Sequence, residues 1–369
     1  MENEFTSLVE NALDFLQKSI RELEAGEPKY SVIHFYSGLE LFLKARLLRE
    51  HWCLCASDVN KIAQTQFASG DFESIGLKEA KSRLANILNC KLSGPEEKIY
   101  ERLRERRNQA VHFYHPDDLG SDKKVAVEQL AGWHFLYRRQ TNSWKDCFEP
   151  FQERLAELHR TISARAEYFP SIYSELKDDL LKQARHRLIA VCEICEQQGA
   201  LTKGEVAKGV HRLECAVCSG EAFALFLPCR KCGKLAPRSF ERTTDCQWCE
   251  CRYEGSLEES FAWAEKTHPG ASPRAWCGDC GYTVKESVIE VGRASFCLAC
   301  HAFYEHSGIA RCDWCGDTVT GPVGDRISPG CVRCEYHLSY DDEGEVAPEY
   351  LYDRAQRRAN RTLRERGFI

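Results

Sequence analysis

Between residues 192 and 334 the chain carries eight Cys-x-x-Cys pairs: Cys192/Cys195, Cys215/Cys218, Cys229/Cys232, Cys246/Cys249, Cys277/Cys280, Cys297/Cys300, Cys312/Cys315 and Cys331/Cys334. No other feature restricts the fold as much. A Cys-x-x-Cys knuckle turns tightly enough to place two sulfurs on one ion, and two knuckles on a hairpin complete a tetrahedron. Taken two by two along the chain, the knuckles are separated by 19, 13, 16 and 15 residues, which suits such hairpins. Of the 21 cysteines, 17 lie in this stretch, and Cys53, Cys55, Cys90 and Cys147 follow no pattern.

The beginning of the sequence, MENEFTSLVENALDF, carries acids and no apolar export core. The longest dense apolar run, Ala222 to Leu227, is too short to span a bilayer. A cytoplasmic protein with no membrane partner is expected, and cytoplasmic thiols stay reduced. Metal binding is then the expected use of the cysteines: about four structural zinc ions, each closed by four thiolates, and no catalytic metal. Redox pairs are the competing reading, but such a pair normally sits alone at a strand-to-helix junction. Iron–sulfur binding is a third. Sequential pairing of knuckles needs no crossing chain and is preferred over interleaved pairing. Cys251, in CQWCEC, is an alternative to Cys249. His211, His301 and His337 are expected to flank the sites. Gly233, Gly281 and Gly316 follow knuckles where the turn calls for positive φ. Trp248, Trp276, Phe296 and Trp314 either fill small ribbon cores or stack on bases.

The first half is built differently. Phe5, Leu8, Val9, Ala12, Leu13 and Leu16 repeat at helical spacing, and Gly26 to Pro28 ends that helix. Further helices are expected over Ser31–His51, Leu77–Leu88, Pro95–Tyr114, Lys124–Thr141, Trp144–Thr161 and Ser171–Cys192. The fold class is an all-α bundle, then a small-β, metal-stabilised array of zinc ribbons, then a C-terminal helix. The expected boundaries are 1–165 for the helical domain, 166–190 for a connecting helix, 191–340 for about four ribbons and 345–369 for an Arg-rich helix.

One segment of the helical half, RERRNQAVHF (104–113), crowds arginines, an amide and an imidazole before a helix stop. Asn108 and His112 are i and i+4 and share a face. Arg104 lies a turn back along it, and Arg107 sits on its shoulder. Leu103, Ala110 and Val111 are expected to face the core. These groups suit RNA cleavage without metal: a histidine moves the proton and an arginine holds the phosphorane oxygens. One strip lacks a second acid–base group, which a two-fold dimer would supply. The plain alternative is a solvated basic face paired with Glu101 and Glu105.

Arg107, Asn108 and His112, near the end of a late helix, form an R-N-x-x-x-H pattern that resembles the signature of HEPN-domain ribonucleases. SGLELFLKARLL (Ser37–Leu48) is similar to the HEPN helix that carries a Glu and a Lys amid leucines. The resemblance covers about residues 1–160. It implies a metal-independent endoribonuclease of toxin or antiphage-defence type, acting on RNA as a side-by-side homodimer, with a possible antitoxin or regulatory protein. It implies catalytic roles for Arg107, Asn108 and His112 and supporting roles for Glu40 and Lys44.

Net charge is −6, so nucleic-acid contact must come from local patches. Arg104 and the stripe Arg354, Arg357, Arg358, Arg361 and Arg364 are candidates, with a solvated tail as the alternative. No phosphate-cradling loop, dinucleotide fingerprint, H-E-x-x-H or G-x-S-x-G occurs. The other function considered is a non-catalytic adaptor: a helical dimerisation domain bearing zinc ribbons that bind protein or nucleic acid.

Overall fold

The computed structural model describes residues 2–112, 122–238, 243–254, 256–269, 275–277, 287–291, 294–305, 309–311 and 318–320. The chain divides into two compact units between Leu176 and Lys177.

The first unit is helical. Helix α1 (Glu2–Glu24) buries Phe5, Val9, Ala12, Leu13 and Leu16 on one stripe. Helix α2 (Pro28–Glu50) starts on a proline, whose missing N–H costs nothing in a first turn. It buries residues all round, Val32, Phe35, Leu39, Phe42, Leu43 and Leu47 among them, because it is the central helix of the unit. Its close crossing with α1 needs Gly38: a Cβ there would stand 2.8 Å from Leu16 Cγ and 2.9 Å from the Ala12 carbonyl.

A 3-10 turn (Trp52–Cys55), the short α3 (Gln64–Ser69) and α4 (Leu77–Asn86) follow, and α4 packs on α2. Helix α5 (Gly94–His112) opens with a capping box: Ser93 N–H donates to Glu96 and Glu96 N–H donates to Ser93 Oγ. Two ion pairs, each with a buried carboxylate and a half-buried arginine, tie it to α6 (Asp122–Thr141). Arg139 donates to both Glu96 oxygens at 2.8 and 2.7 Å, and Arg106 Nε donates to Glu128 at 3.1 Å. These ties fix the rotation of α5 about its own axis, and so the face it turns to α2.

The helix expected from Trp144 begins later. Residues 142–148 form turns, a 3-10 turn covers Glu149–Phe151, and α7 is Gln152–Ser163. Pro150 cannot donate the bond that would continue a helix backwards. Trp144 and Phe148 instead plug the core, with Phe148 5.8 Å from both Phe5 and Phe42. Helix α8 (Tyr168–Gln183) passes through the unit boundary but does not reach Cys192 as expected. The Gln247 side chain donates to the Ala184 and Arg187 carbonyls and accepts from Ile189 N–H, satisfying a chain that has left the helix.

The second unit is small-β. Strands β1 (Ile189–Ala190), β2 (Ala200–Ala207), β3 (Val210–Cys215), β4 (Glu221–Pro228) and β5 (Leu235–Arg238) form an antiparallel meander in chain order. A hairpin of β6 (Thr243–Asp245) and β7 (Arg252–Glu254) leads to α9 (Leu257–Thr267), capped by Ser256. Then β8 (Val288–Val291), β9 (Ala294–Cys297) and β10 (Phe303–Glu305) make a three-stranded sheet, and β11 (Ile309–Arg311) pairs with β12 (Thr318–Thr320). These pieces are not separate beads. Val210 and Leu225 of the meander, Ala264 of α9, and Ile289, Val291, Phe296 and Leu298 of the second sheet form one buried cluster. The expected C-terminal helix, 345–369, lies outside the described residues.

Candidate functional site

Five knuckles are described whole, and all five share one backbone. The residue after the second cysteine is left-handed: Glu196 at φ 59°, Ser219 at 59°, Gly233 at 72°, Glu250 at 56° and His301 at 60°. Its N–H donates to the first cysteine's carbonyl at 2.8–2.9 Å. The first cysteine's N–H donates to the carbonyl five residues on, at 2.7–2.9 Å. Each knuckle is therefore closed twice by its own main chain. Glycine supplies that conformation only at Gly233; Gly281 and Gly316 lie outside the described residues.

Cysteines of successive knuckles meet. Cys192, Cys195, Cys215 and Cys218 form one cluster, Cys229, Cys232, Cys246 and Cys249 a second, and Cys277, Cys297 and Cys300 a third. Sulfurs of opposing knuckles stand 3.5–3.7 Å apart. A disulfide would need about 2.05 Å. A tetrahedral ion with metal–sulfur bonds of about 2.3 Å sets sulfur–sulfur edges of about 3.8 Å, close to what is seen. Main-chain N–H groups aim at the sulfurs: Val217 at Cys215, Gly220 at Cys218, Lys231 and Cys232 at Cys229, and Cys300 at Cys297, at 3.3–3.5 Å. Such donors favour thiolate over thiol. The donor set thus fits a metal ion, and a cluster of four thiolates leaves no open position for chemistry.

Cys280, Cys312, Cys315, Cys331 and Cys334 lie outside the described residues, as do His337 and Arg354, Arg357, Arg358, Arg361 and Arg364. Cys251 is outside the second cluster, and its carbonyl closes the Cys246 knuckle. His211 and His301 are not in the clusters; His211 meets Phe226 edge-on and His301 stacks on Phe296. Sequence reading missed Tyr253, whose hydroxyl contacts Cys229 Sγ at 2.9 Å and accepts from Arg230 N–H.

The helical unit holds a second polar grouping, where α2 packs on α5. Tyr36, Glu40 and Lys44 fall four residues apart on α2 and share a stripe. Lys44 Nζ, nearly buried, donates to Glu40 at 2.6 Å and to Ser74 Oγ at 3.0 Å. Burial first, then the Glu40 carboxylate one turn along, pushes the Tyr36 phenol well above the usual range, partly offset by Arg107 and Arg104.

Arg107 sits across from this stripe, with its guanidinium carbon 5.7 Å from the Tyr36 ring centre. One of its N–H groups donates to Asn108 Oδ1 at 3.1 Å, while Nε is buried with no hydrogen-bond partner. The other arginines of α5 are neutralised. Arg102 pairs with Glu128 and Glu175, Arg104 with Glu101, and Arg106 with Glu128. Among the described residues Arg107 has no carboxylate partner.

His112 is the last residue of α5 and is exposed. Leu103 and Ala110 are buried, but Val111 is 45% exposed rather than in the core. At 100° per residue it falls next to His112 on the outer face, away from the α2 and α6 contacts that bury its neighbours. Arg107, Asn108, Tyr36, Glu40 and Lys44 are thus brought together. The structure adds Tyr36, which gave no signal in the sequence because an aromatic residue in a buried helix is ordinary core.

No helix among the described residues is long and apolar enough to cross a membrane. Comparison with protein-family models, with curated proteins and with solved structures finds no match to this chain.

Proposed function

We propose that the protein is a metal-independent endoribonuclease of HEPN type whose cysteine clusters hold structural zinc. The observation that carries it is the state of Arg107: among the described residues it alone of the α5 arginines lacks a carboxylate partner, and it has a buried unpartnered Nε and lies beside Asn108 on the helix that ends at His112. A guanidinium held by an amide and an aromatic face, but not by an acid, keeps its charge for an anion.

RNA supplies that anion. The 2′-hydroxyl attacks the adjacent phosphorus, the 5′-oxygen leaves, and a 2′,3′-cyclic phosphate and a 5′-hydroxyl end result. Arg107 binds the phosphate oxygens as charge builds on them. Asn108 positions the guanidinium. His112 moves a proton, and its exposed place at the helix end lets it reach substrate. The reaction needs one group to take the 2′ proton and another to give one to the 5′-oxygen. A homodimer that packs two such helix ends together supplies both. Glu40 and Lys44 support the site through Tyr36. No metal takes part in this step; zinc in the clusters supplies folding energy.

By the same resemblance the biological role is that of a cytoplasmic toxin or antiphage effector, restrained by an antitoxin or regulatory protein. The test is cleavage of several RNAs by the full chain at neutral pH with brief EDTA exposure, metal content being measured on the same sample. Wild type is expected to cut. His112→Ala and Arg107→Ala are each expected to lose at least about a hundredfold in rate with unchanged zinc, the scale of a general acid–base or charge-stabilising group. Cleavage undiminished in both variants would remove the site, and no cleavage by wild type on any RNA would leave the non-catalytic adaptor as the reading.

A further inference from the structure

Because the five closed knuckles share one backbone, their side chains compare position by position. The two residues between the cysteines are Glu193-Ile194, Ala216-Val217, Arg230-Lys231, Gln247-Trp248 and Leu298-Ala299. Val217 and Leu298 are fully buried, and Gln247 is used to hold the chain that follows α8. The turn itself requires none of these side chains, so the cations at one knuckle have no structural cause in its geometry.

That knuckle, CRKCGK, is unlike its relatives in exposure as well. Every residue from Arg230 to Leu235 is exposed, Cys232 included. Arg230 shares its charge with Glu259, but Lys231 and Lys234 have no carboxylate partner among the described residues. Lys234 Nζ stands 4.6 Å over the Trp248 ring centre. The Trp248 indole N–H donates to the Leu235 carbonyl at 3.0 Å, which pins the half-buried ring beside the basic turn. Rigid backbone, two unneutralised ammonium groups and a fixed indole occupy one face of the second cluster.

We propose that this face binds single-stranded nucleic acid, with Lys231 and Lys234 on successive phosphates and Trp248 as the platform for one unpaired base. An indole accepts any base by stacking, which a duplex does not offer without unstacking, and a flexible lysine exchanges an aromatic face for a phosphate at little cost. An acidic protein would use the lysines without the ring. The inference does not depend on the ribonuclease reading, since it concerns binding by the cysteine-rich unit.

The experiment uses the full zinc-loaded chain and a fluorescein-labelled 20-nucleotide oligo-dT, followed by anisotropy over a salt series. DNA lacks the 2′-hydroxyl, so a metal-independent ribonuclease cannot cut the probe and binding is read whether or not RNA is cleaved. Lys231→Glu with Lys234→Glu is expected to raise Kd at least about tenfold. The neutral pair Lys231→Gln with Lys234→Gln is expected to flatten the salt dependence by about 1.4 log units per log unit, two phosphates at about 0.7 each. Trp248→Leu is expected to raise Kd about fivefold or more for oligo-dT and to leave a duplex of equal length unaffected. Lys231→Arg with Lys234→Arg is expected to retain binding. Metal analysis checks each variant, and the neutral pair replaces the charge reversal if the latter loses zinc. No binding by wild type at low salt, or a Kd within twofold of wild type in both the neutral pair and Trp248→Leu, overturns the proposal. Weakening by the lysine changes alone, equal for single strand and duplex, overturns it too and points to a general anion surface.

Discussion

The two units solve the problem of stability in opposite ways. The helical unit has a large aromatic interior: Trp133, Trp144, Tyr100, Tyr168, Phe42 and Phe148 are all fully buried within it. The cysteine-rich unit has one modest shared cluster, from Val210 to Leu298, and otherwise sets small sheets around groups of thiols. Apolar area is worth about 25 cal/mol per Å², so a dense aromatic interior needs no further support. Small sheets with little core, several of their strands only two to four residues long, do need it, and a group of four thiolates able to close on one ion would supply it locally. The first unit should therefore fail through packing and the second through its metal sites.

The largest effect follows from that contrast. Structural zinc contributes on the order of 10 kcal/mol or more in small domains. Cys215→Ser is expected to lose one zinc ion and unfold the meander strands, while the helices keep their protection; hydrogen exchange followed region by region reads both. Equal loss of protection in the helices would break the comparison. Next in size, Phe148→Ala should lower the stability of the helical unit by about 3–5 kcal/mol and leave the zinc content unchanged, as seen by calorimetry with metal analysis.

Acid should act on the helical unit through buried imidazoles. Burial holds His159 down at about 3 and His134 well below its ordinary value. Trp133 Nε1 donates to His159 Nδ1, which requires that nitrogen unprotonated, and Tyr137 stacks on the ring at 3.9 Å. The unfolded chain takes up protons near pH 6.5 and the folded one does not until about pH 3. Stability of this unit is thus full above about 6.5 and falls as pH drops toward 3, by a few kcal/mol. Melting followed by helical circular dichroism between pH 7 and 4 measures it, and a flat profile would show that the imidazoles are not protected. The smallest change sharpens the knuckle comparison. Gly233→Ala puts a Cβ on a left-handed residue with open space around it, so only backbone strain is added, about 1 kcal/mol. A small shift in the melting of the second unit, with full zinc content, is expected.

Much of this was legible in advance. Regular spacing of Phe5, Val9, Leu13 and Leu16 announced α1, and the run from Val32 to Leu48 announced α2. The knuckle spacing led to the preferred pairing found in the first two clusters, Cys192/Cys195 with Cys215/Cys218 and Cys229/Cys232 with Cys246/Cys249. What escaped has physical causes. Trp144 and Phe148 keep helical spacing yet sit in turns, because apolar period reports which side chains are buried and not whether Pro150 allows the bonds. The left-handed positions Glu196, Ser219, Glu250 and His301 carry no glycine to reveal them. Val111 looked like core because its neighbours Leu103 and Ala110 are.

By itself, then, the sequence determined the two kinds of construction, the helices with the strongest apolar stripes and the cysteines that meet. Those depend on local periodicity and on short-range geometry, which a linear chain encodes directly. Only the tertiary structure decided that the five-stranded meander and the three-stranded sheet share one core, that α9 contributes to it, and that among the described residues Arg107 keeps an unneutralised charge beside Tyr36 while Arg102, Arg104 and Arg106 do not. Which carboxylate reaches which arginine depends on the rotation of α5 against α2 and α6. That rotation is set by Glu96 with Arg139 and Glu128 with Arg106, pairs 43 and 22 residues apart in the chain.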